Sequence, residues 1–198
     1  MKKERVGFDL DNVICNTSIF IDELLKSKFN LYLDWDNDFI CYDFAKNPHL
    51  TKYIAEYLNE SVDNGTMFIN SPSYGDVCGG LDLLRKEDFY IDIITSRHSS
   101  KEHITVSWLK KYNIVYDDIY FSNSRNKKHL VRGLNMKAFV EDRFDILNMV
   151  LEECDSLPYG LIVRDHPWNR KFRNKHVDRV YSFMEACKTI VKYKNGGH

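Results

Sequence analysis

The chain has 198 residues, 43% of them hydrophobic and 29% charged, with 28 Lys and Arg against 29 Asp and Glu for a formal net charge of −1. At roughly 150 residues per domain this is one or two domains, enough to bury a core without disulfide or metal staples, and the composition excludes a disordered or fibrous chain. Near-neutral charge also excludes a field that would hold polynucleotides or anionic lipid in bulk.

The first five residues, Met1-Lys2-Lys3-Glu4-Arg5, are basic, but only Val6-Gly7-Phe8 follows before two aspartates, so no signal peptide is read here. Arg5-Val6-Gly7-Phe8 is instead a short apolar run of the kind that forms a strand buried on both faces. It leads directly into Asp9-Leu10-Asp11-Asn12. Residues 16–76 offer no good strand. Their apolar residues recur at helical spacing, first Ile19, Phe20, Leu24 and Leu25, later Leu50, Tyr53, Ile54, Tyr57 and Leu58, around a loop at 32–39 that is dense in aromatic and acidic residues. This predicts a helical insert placed after strand one.

From residue 77 onward strand and helix alternate. A helix carrying Leu81 and Leu84 precedes a strand at 89–94 that ends in Thr95-Ser96, and a helix with Ile104, Trp108, Leu109 and Tyr112 follows. A weaker strand at 119–121 leads to a helix with Leu130, Val131 and Leu134. Ala138-Phe139-Val140 then ends in Glu141-Asp142, before a helix with Ile146, Leu147, Val150 and Leu151 and a weaker strand at 161–163. Such alternation predicts an α/β protein with an open parallel sheet. The expected division is a core of 1–15 and 77–198 interrupted by a cap at 16–76. Five scattered cysteines without a C-x-x-C pair argue against a disulfide framework or thiolate zinc site and fit a reducing cytoplasm. No run approaches the roughly 18 apolar residues of a membrane span.

Chemistry concentrates where strands end, which is where open parallel sheets gather ligands. Asp9 and Asp11 leave an extended chain at alternate positions and can serve one site, although Asp-x-Asp-Asn is also an ordinary polar turn. Thr95 and Ser96 can hold an anion through hydroxyls and amides, or simply cap a helix. Lys127 and Lys128 open a helix, where the dipole disfavours cations; this points to an anion to be neutralised or to a solvated pair. Glu141, Asp142 and Asp145 add three acids within five residues. Together with Asp9 and Asp11 they suit a hard cation such as Mg²⁺, which prefers carboxylate oxygen.

In this order the four motifs resemble those of the haloacid dehalogenase superfamily, whose phosphatases combine a D-x-D loop, a Ser or Thr ending the second strand, a Lys and a late acidic pair. The helical insert, Thr95-Ser96-Arg97, Glu141-Asp142-Arg143, Asp165-His166-Pro167-Trp168-Asn169 and the later Arg179-Val180-Tyr181-Ser182-Phe183 look like the 5′(3′)-deoxyribonucleotidase group and its bacterial and phage relatives. The resemblance implies a Rossmann-like sheet of strand order 5-4-1-2-3 with the cap inserted after strand one. It implies a Mg²⁺-dependent phosphomonoesterase of nucleoside monophosphates in which Asp9 is the nucleophile that becomes an aspartyl-phosphate and Asp11 is the general acid and base. Asp9, the Asp11 carbonyl and Asp142 would bind Mg²⁺, supported by Glu141 and Asp145, while Thr95, Ser96 and Lys127 would bind the phosphoryl oxygens. Lys127 is preferred to Lys128 because Leu130, Val131 and Leu134 fall three, four and seven residues after it. Two departures from the family are Asn12 where Gly is usual, a residue that tolerates unusual backbone angles, and Glu141 where the deoxyribonucleotidases often carry Asp.

Substrate contacts are sought in Arg97 and His98 beyond the second strand, and in the insert's Trp35, Phe39, Phe44, Phe68 and Tyr74, which either stack on a base or pack the cap itself. Trp168 reads as a buttress. Alternative substrates are a sugar phosphate or a 3′-phosphorylated nucleic-acid end, and a non-enzymatic alternative is a phospho-receiver module. The expected partner is a small phosphate monoester, with no membrane and no bulk nucleic acid, on a monomer or homodimer.

Overall fold

The computed structural model describes residues 3–35 and 43–197. Six short strands, β1 (Glu4–Phe8), β2 (Phe89–Thr95), β3 (Asp118–Phe121), β4 (Ala138–Glu141), β5 (Leu161–Arg164) and β6 (Val177–Val180), pair in parallel throughout. Their order is β3-β2-β1-β4-β5-β6. The first five thus stand in the expected order 5-4-1-2-3, and β6 extends the sheet beyond β5. β6 escapes a search for continuous apolar runs because it is an edge strand whose centre is Asp178-Arg179, and edges tolerate charge.

Alternation along the central strands divides the core into two layers. Val6 and Phe8 of β1, Ile91 and Ile93 of β2 and Val140 of β4 face helices α4 (Val77–Lys86), α5 (Glu102–Lys111) and α8 (Phe183–Lys194). Ile94, Phe139, Leu161 and Val163 belong to the other layer, with α6 (Lys127–Gly133) and α7 (Phe144–Cys154). Where α4 meets α8, a Cβ on Gly80 would lie 2.7 Å from the Phe183 ring and 2.9 Å from Cys187 Sγ, so this helix pair depends on the missing side chain.

Between β1 and α4 lie α1 (Thr17–Phe29), α2 (Lys52–Asp63) and α3 (Thr66–Asn70), with no strand among the described residues. They build a third apolar cluster from Ile21, Leu25, Ile54, Leu58, Met67 and Phe68, joined from the sheet side by Trp168. On α1 the buried face is Ile21 and Leu25, whereas Ile19 is 40% exposed. Five apolar residues between 19 and 25 cover more than one face of that helix, so spacing alone does not select the inward one. No helix among the described residues is long and apolar enough to cross a membrane.

Gly80→Val should overpack the α4–α8 contact and cost about 1–3 kcal/mol. Urea denaturation of the purified variant against wild type measures it.

Candidate active site

The sheet sets the position of the first acid. The Asp9 amide donates to the Val140 carbonyl (2.9 Å), which holds the chain leaving β1 beside the end of β4, where Glu141 and Asp142 follow. Lys127, the first residue of α6, reaches between them. Its Nζ donates to Asp9 Oδ1 (2.5 Å) and Glu141 Oε2 (2.8 Å), and its side chain is 1% exposed. The other Glu141 oxygen accepts from the amides of Asp142 (3.2 Å) and Arg143 (3.3 Å), fixing the turn that presents Asp142. One carboxylate oxygen from each of Asp9, Glu141 and Asp142 lies within 4.8 Å of the others.

Three buried carboxylates face one ammonium, leaving the site short of positive charge. Burial, followed by the charge of Glu141, pushes the Asp9 carboxyl up to about 7 despite Lys127. Asp142 is likewise raised by burial and then by Glu141 and Asp9. Burial works to lower the Lys127 ammonium, but the adjoining carboxylates outweigh it and hold the lysine charged. An all-oxygen, electron-rich set with a charge deficit suits a hard divalent cation, and Asp9, Glu141 and Asp142 could hold one.

Asp11 faces a different partner. Both its oxygens accept from Arg97, Oδ2 from Nε (2.9 Å) and Oδ1 from Nη2 (2.7 Å), in the bidentate geometry that suits guanidinium. Arg97 is buried, donates to Thr105 Oγ1 (3.4 Å) and lies 4.1 Å over the Phe68 ring. Its guanidinium, proposed from the sequence as a substrate contact, is thus engaged with Asp11. Thr95 is fully buried, and its hydroxyl accepts from the Arg97 amide (3.2 Å), while Ser96 Oγ lies 3.1 Å from Ser124 Oγ. Lys128 turns outward to Glu153 (3.5 Å). Asp145, expected in support of the metal, is exposed and paired with Arg143 (2.7 Å) outside the acidic cluster.

A cavity of about 390 Å³ opens over these groups. Asp9, Asp11, Lys127, Glu141 and Asp142 form its floor; Ser96, Arg97, His98, Lys101 and Arg143 lie around it, and Val62, Asp63 and Phe68 enter from the helical insert. Phe44 lines a smaller adjoining cavity of about 100 Å³ with Phe68 and Trp168. Trp35 instead packs on the insert's apolar cluster and donates to Asp22 (2.7 Å). Tyr74 packs against the core beneath the Arg164 guanidinium. Phe39 lies outside the described residues.

No protein-family model matches the chain. It is 30% identical over 180 residues to a nucleotidase of Clostridium acetobutylicum, covering 86% of this chain and 91% of that protein. Among solved structures, a HAD-superfamily hydrolase of subfamily IA from Geobacter sulfurreducens aligns with a TM-score of 0.56 at 12% identity over 95% of this chain and 96% of its own. A predicted phosphatase from Clostridium acetobutylicum gives 0.64 at 16% identity over 97% and 100%. The chain belongs to one family with that nucleotidase, and its fold is that of the haloacid dehalogenase hydrolases.

The departure from the superfamily's usual glycine is accommodated locally. Asn12 has φ of 59°, in the left-handed region that Gly or Asn enters most readily. Its Oδ1 accepts from Thr17 Oγ1 (2.7 Å), the Ser18 amide (3.2 Å) and Ser18 Oγ (2.9 Å), tying the acidic turn to the start of α1. Sequence reasoning left Arg164 unnamed and quoted His166 and Asn169 only within a motif, without a role of their own. All three are buried beside this turn and the Asp142 loop, and the signal available was a run of polar residues following a buried strand. Burial pushes the His166 imidazole down to about 4, so the ring is neutral at ordinary pH. Its Nε2 lies 2.9 Å from the Asn12 carbonyl, which can only accept, so that nitrogen carries the proton.

Two outcomes follow from these charges. Lys127→Met, by leaving the carboxylates unpaired, should cost about 3–5 kcal/mol in urea denaturation, with part regained on adding Mg²⁺. Because the folded-state pKa of His166 is depressed, unfolded chains bind the extra proton first. The His166 contribution to stability should therefore be lost as pH falls from 6.5 through about 4, against an opposing gain from the raised carboxyls of Asp9 and Asp142, and the difference between wild type and His166→Gln across that window isolates it.

Proposed function

We propose that this protein is a Mg²⁺-dependent phosphomonoesterase of nucleoside monophosphates, with residues 16–76 as its cap. The observation that carries the reading is Lys127 bridging Asp9 and Glu141 beside Asp142 on the floor of an open cavity. A cavity of about 390 Å³ is of a size to receive a nucleotide-scale ligand, and the nucleotidase relative supports that substrate class.

In this reading an Asp9 oxygen attacks phosphorus, the bond from phosphorus to the ester oxygen breaks, and that oxygen leaves with the electron pair and a proton from Asp11. Asp11 then takes a proton from water as the water oxygen attacks the aspartyl-phosphate, releasing inorganic phosphate and restoring Asp9. Lys127 and Ser96, which line the cavity, bind the phosphoryl oxygens, and the buried Thr95 hydroxyl supports them from beneath by fixing the Arg97 amide. Arg97 orients Asp11 at the cavity through its two hydrogen bonds. The side chains of Asp9 and Asp142 with the Asp11 carbonyl would hold Mg²⁺, and Glu141 supports them by fixing Lys127 and the Asp142 amide. When bound, the ion supplies the charge the site lacks and offsets that of the incoming phosphoryl group. The near-neutral composition accords with such a site, because the positive charge is supplied locally.

Phosphate release from a panel of nucleoside monophosphates and sugar phosphates, with and without Mg²⁺, tests the activity and its substrate class. Asp9→Asn should abolish release, and Asp11→Asn should lower it by about 10²–10⁴-fold. Wild-type turnover in Asp9→Asn overturns the reading.

A further inference from the structure

Three buried side chains of one short segment end on main-chain carbonyls of the two acid-bearing loops. Arg164 Nη1 donates to the Val13 carbonyl (2.8 Å), His166 Nε2 to the Asn12 carbonyl (2.9 Å), and Asn169 Nδ2 to the Asp142 carbonyl (2.7 Å). Trp168 Nε1 adds a second, longer bond to the Asp142 carbonyl (3.3 Å). None of the four residues lines the cavity over the acidic cluster, and of the four Trp168 lines the smaller cavity beside it.

The segment is itself held from behind. The Asp165 amide donates to the Val180 carbonyl on β6 (2.8 Å), and Asp165 Oδ1 accepts from Arg179 (2.8 Å). Asn169 Oδ1 accepts from Arg179 and from the His166 amide, which leaves its Nδ2 directed to the carbonyls of Asp142 and Arg164 (2.7 Å). His166 stacks on Trp168 with ring centres 4.5 Å apart and planes 2° from parallel, so the ring cannot turn freely.

The loops need such a hold. Beyond the bond from the Asp9 amide to Val140 and the Lys127 bridge between Asp9 and Glu141, the chain from β1 and the chain from β4 leave the sheet carrying carboxylates that repel one another, and neither tie reaches the backbone after Asp11 or that of Asp142. We propose that segment 164–169 is a positioning bracket that sets the spacing of the Asp9–Asp11 and Glu141–Asp142 loops, with His166 and Asn169 as its two donor ends. It fixes the backbone after Asp11 on one side and the backbone of Asp142 on the other. The cation site and the aim of Asp11 therefore depend on residues that touch neither substrate nor ion. This inference rests on the phosphatase reading for its kinetic consequence and on the acidic cluster alone for its effect on cation binding.

The test uses the full chain with His166→Phe, which keeps an aromatic ring against Trp168 but removes the donor, His166→Gln, which keeps an N–H donor, and Asn169→Leu. Thermal unfolding first establishes that each is folded; should one not be, Trp168→Phe, which removes only the Nε1 donor, takes its place. Mg²⁺ titration by calorimetry should show affinity weakened by about 10–100-fold in His166→Phe and Asn169→Leu, with most of it regained in His166→Gln. In turnover, His166→Phe should lose more kcat on a nucleoside monophosphate than on p-nitrophenyl phosphate, whose leaving group needs little protonation, with KM nearly unchanged. Folded variants with wild-type Mg²⁺ affinity and no difference between the two esters overturn the bracket. Wild-type protein that binds Mg²⁺ but releases no phosphate from either ester overturns the phosphatase reading, and the affinity comparison still decides the bracket. Absence of Mg²⁺ binding by wild type overturns both.

Discussion

Lys127 is buried with Asp9, Glu141 and Asp142, and much of the surrounding structure serves to hold these four groups together. A buried ammonium is stable only with partners, and three carboxylates are stable only with more positive charge than one lysine supplies. The parallel register of β1 with β4 brings Asp9 beside Glu141, and α6 starts where its first side chain can enter between them. The two core layers fix these strand ends in turn. An arrangement so unfavourable in isolation is a reason to look for chemistry at this end of the sheet.

Around that cluster the polar side chains are paired with one another and with the backbone. Arg97 satisfies Asp11, Glu141 satisfies Lys127 and the Asp142 amide, and Asn12 satisfies the start of α1 through its side chain while its carbonyl accepts from His166. Phe68 belongs at once to the apolar cluster of the insert, to the wall of the cavity and to the face beneath Arg97. Packing and ligand contact are therefore not alternatives for this aromatic, whereas for Trp35 the contacts are with the insert itself.

The legible parts of the sequence were those with a local physical cause. The strands carrying Asp9 and Glu141 are short apolar runs because both sheet faces are covered, and Lys127 stood out because a cation at a helix start is locally unfavourable. What could not be read depends on contacts between distant segments. Nothing near Arg97 announces Asp11, 86 residues earlier in the chain, as its partner. Asp145 shares its neighbourhood in sequence with Asp142 but lies on α7, past the strand-end turn that presents Asp142, and pairs there with Arg143. β6 lacked an apolar run because the outermost strand needs none. His166 and Asn169 were hidden for a further reason: their targets are carbonyls, which every residue possesses.

Trp168 belongs to two structures at once. Its ring sits in the apolar cluster of the helical insert, and its Nε1–H reaches the carbonyl of Asp142. The interior of the insert and the acidic loop consequently share a side chain, so a rearrangement of one changes the free energy of the other. Where a ligand repacks the helices around Trp168 and thereby alters cation affinity, thermodynamic reciprocity requires the cation to alter that ligand's affinity by the same factor.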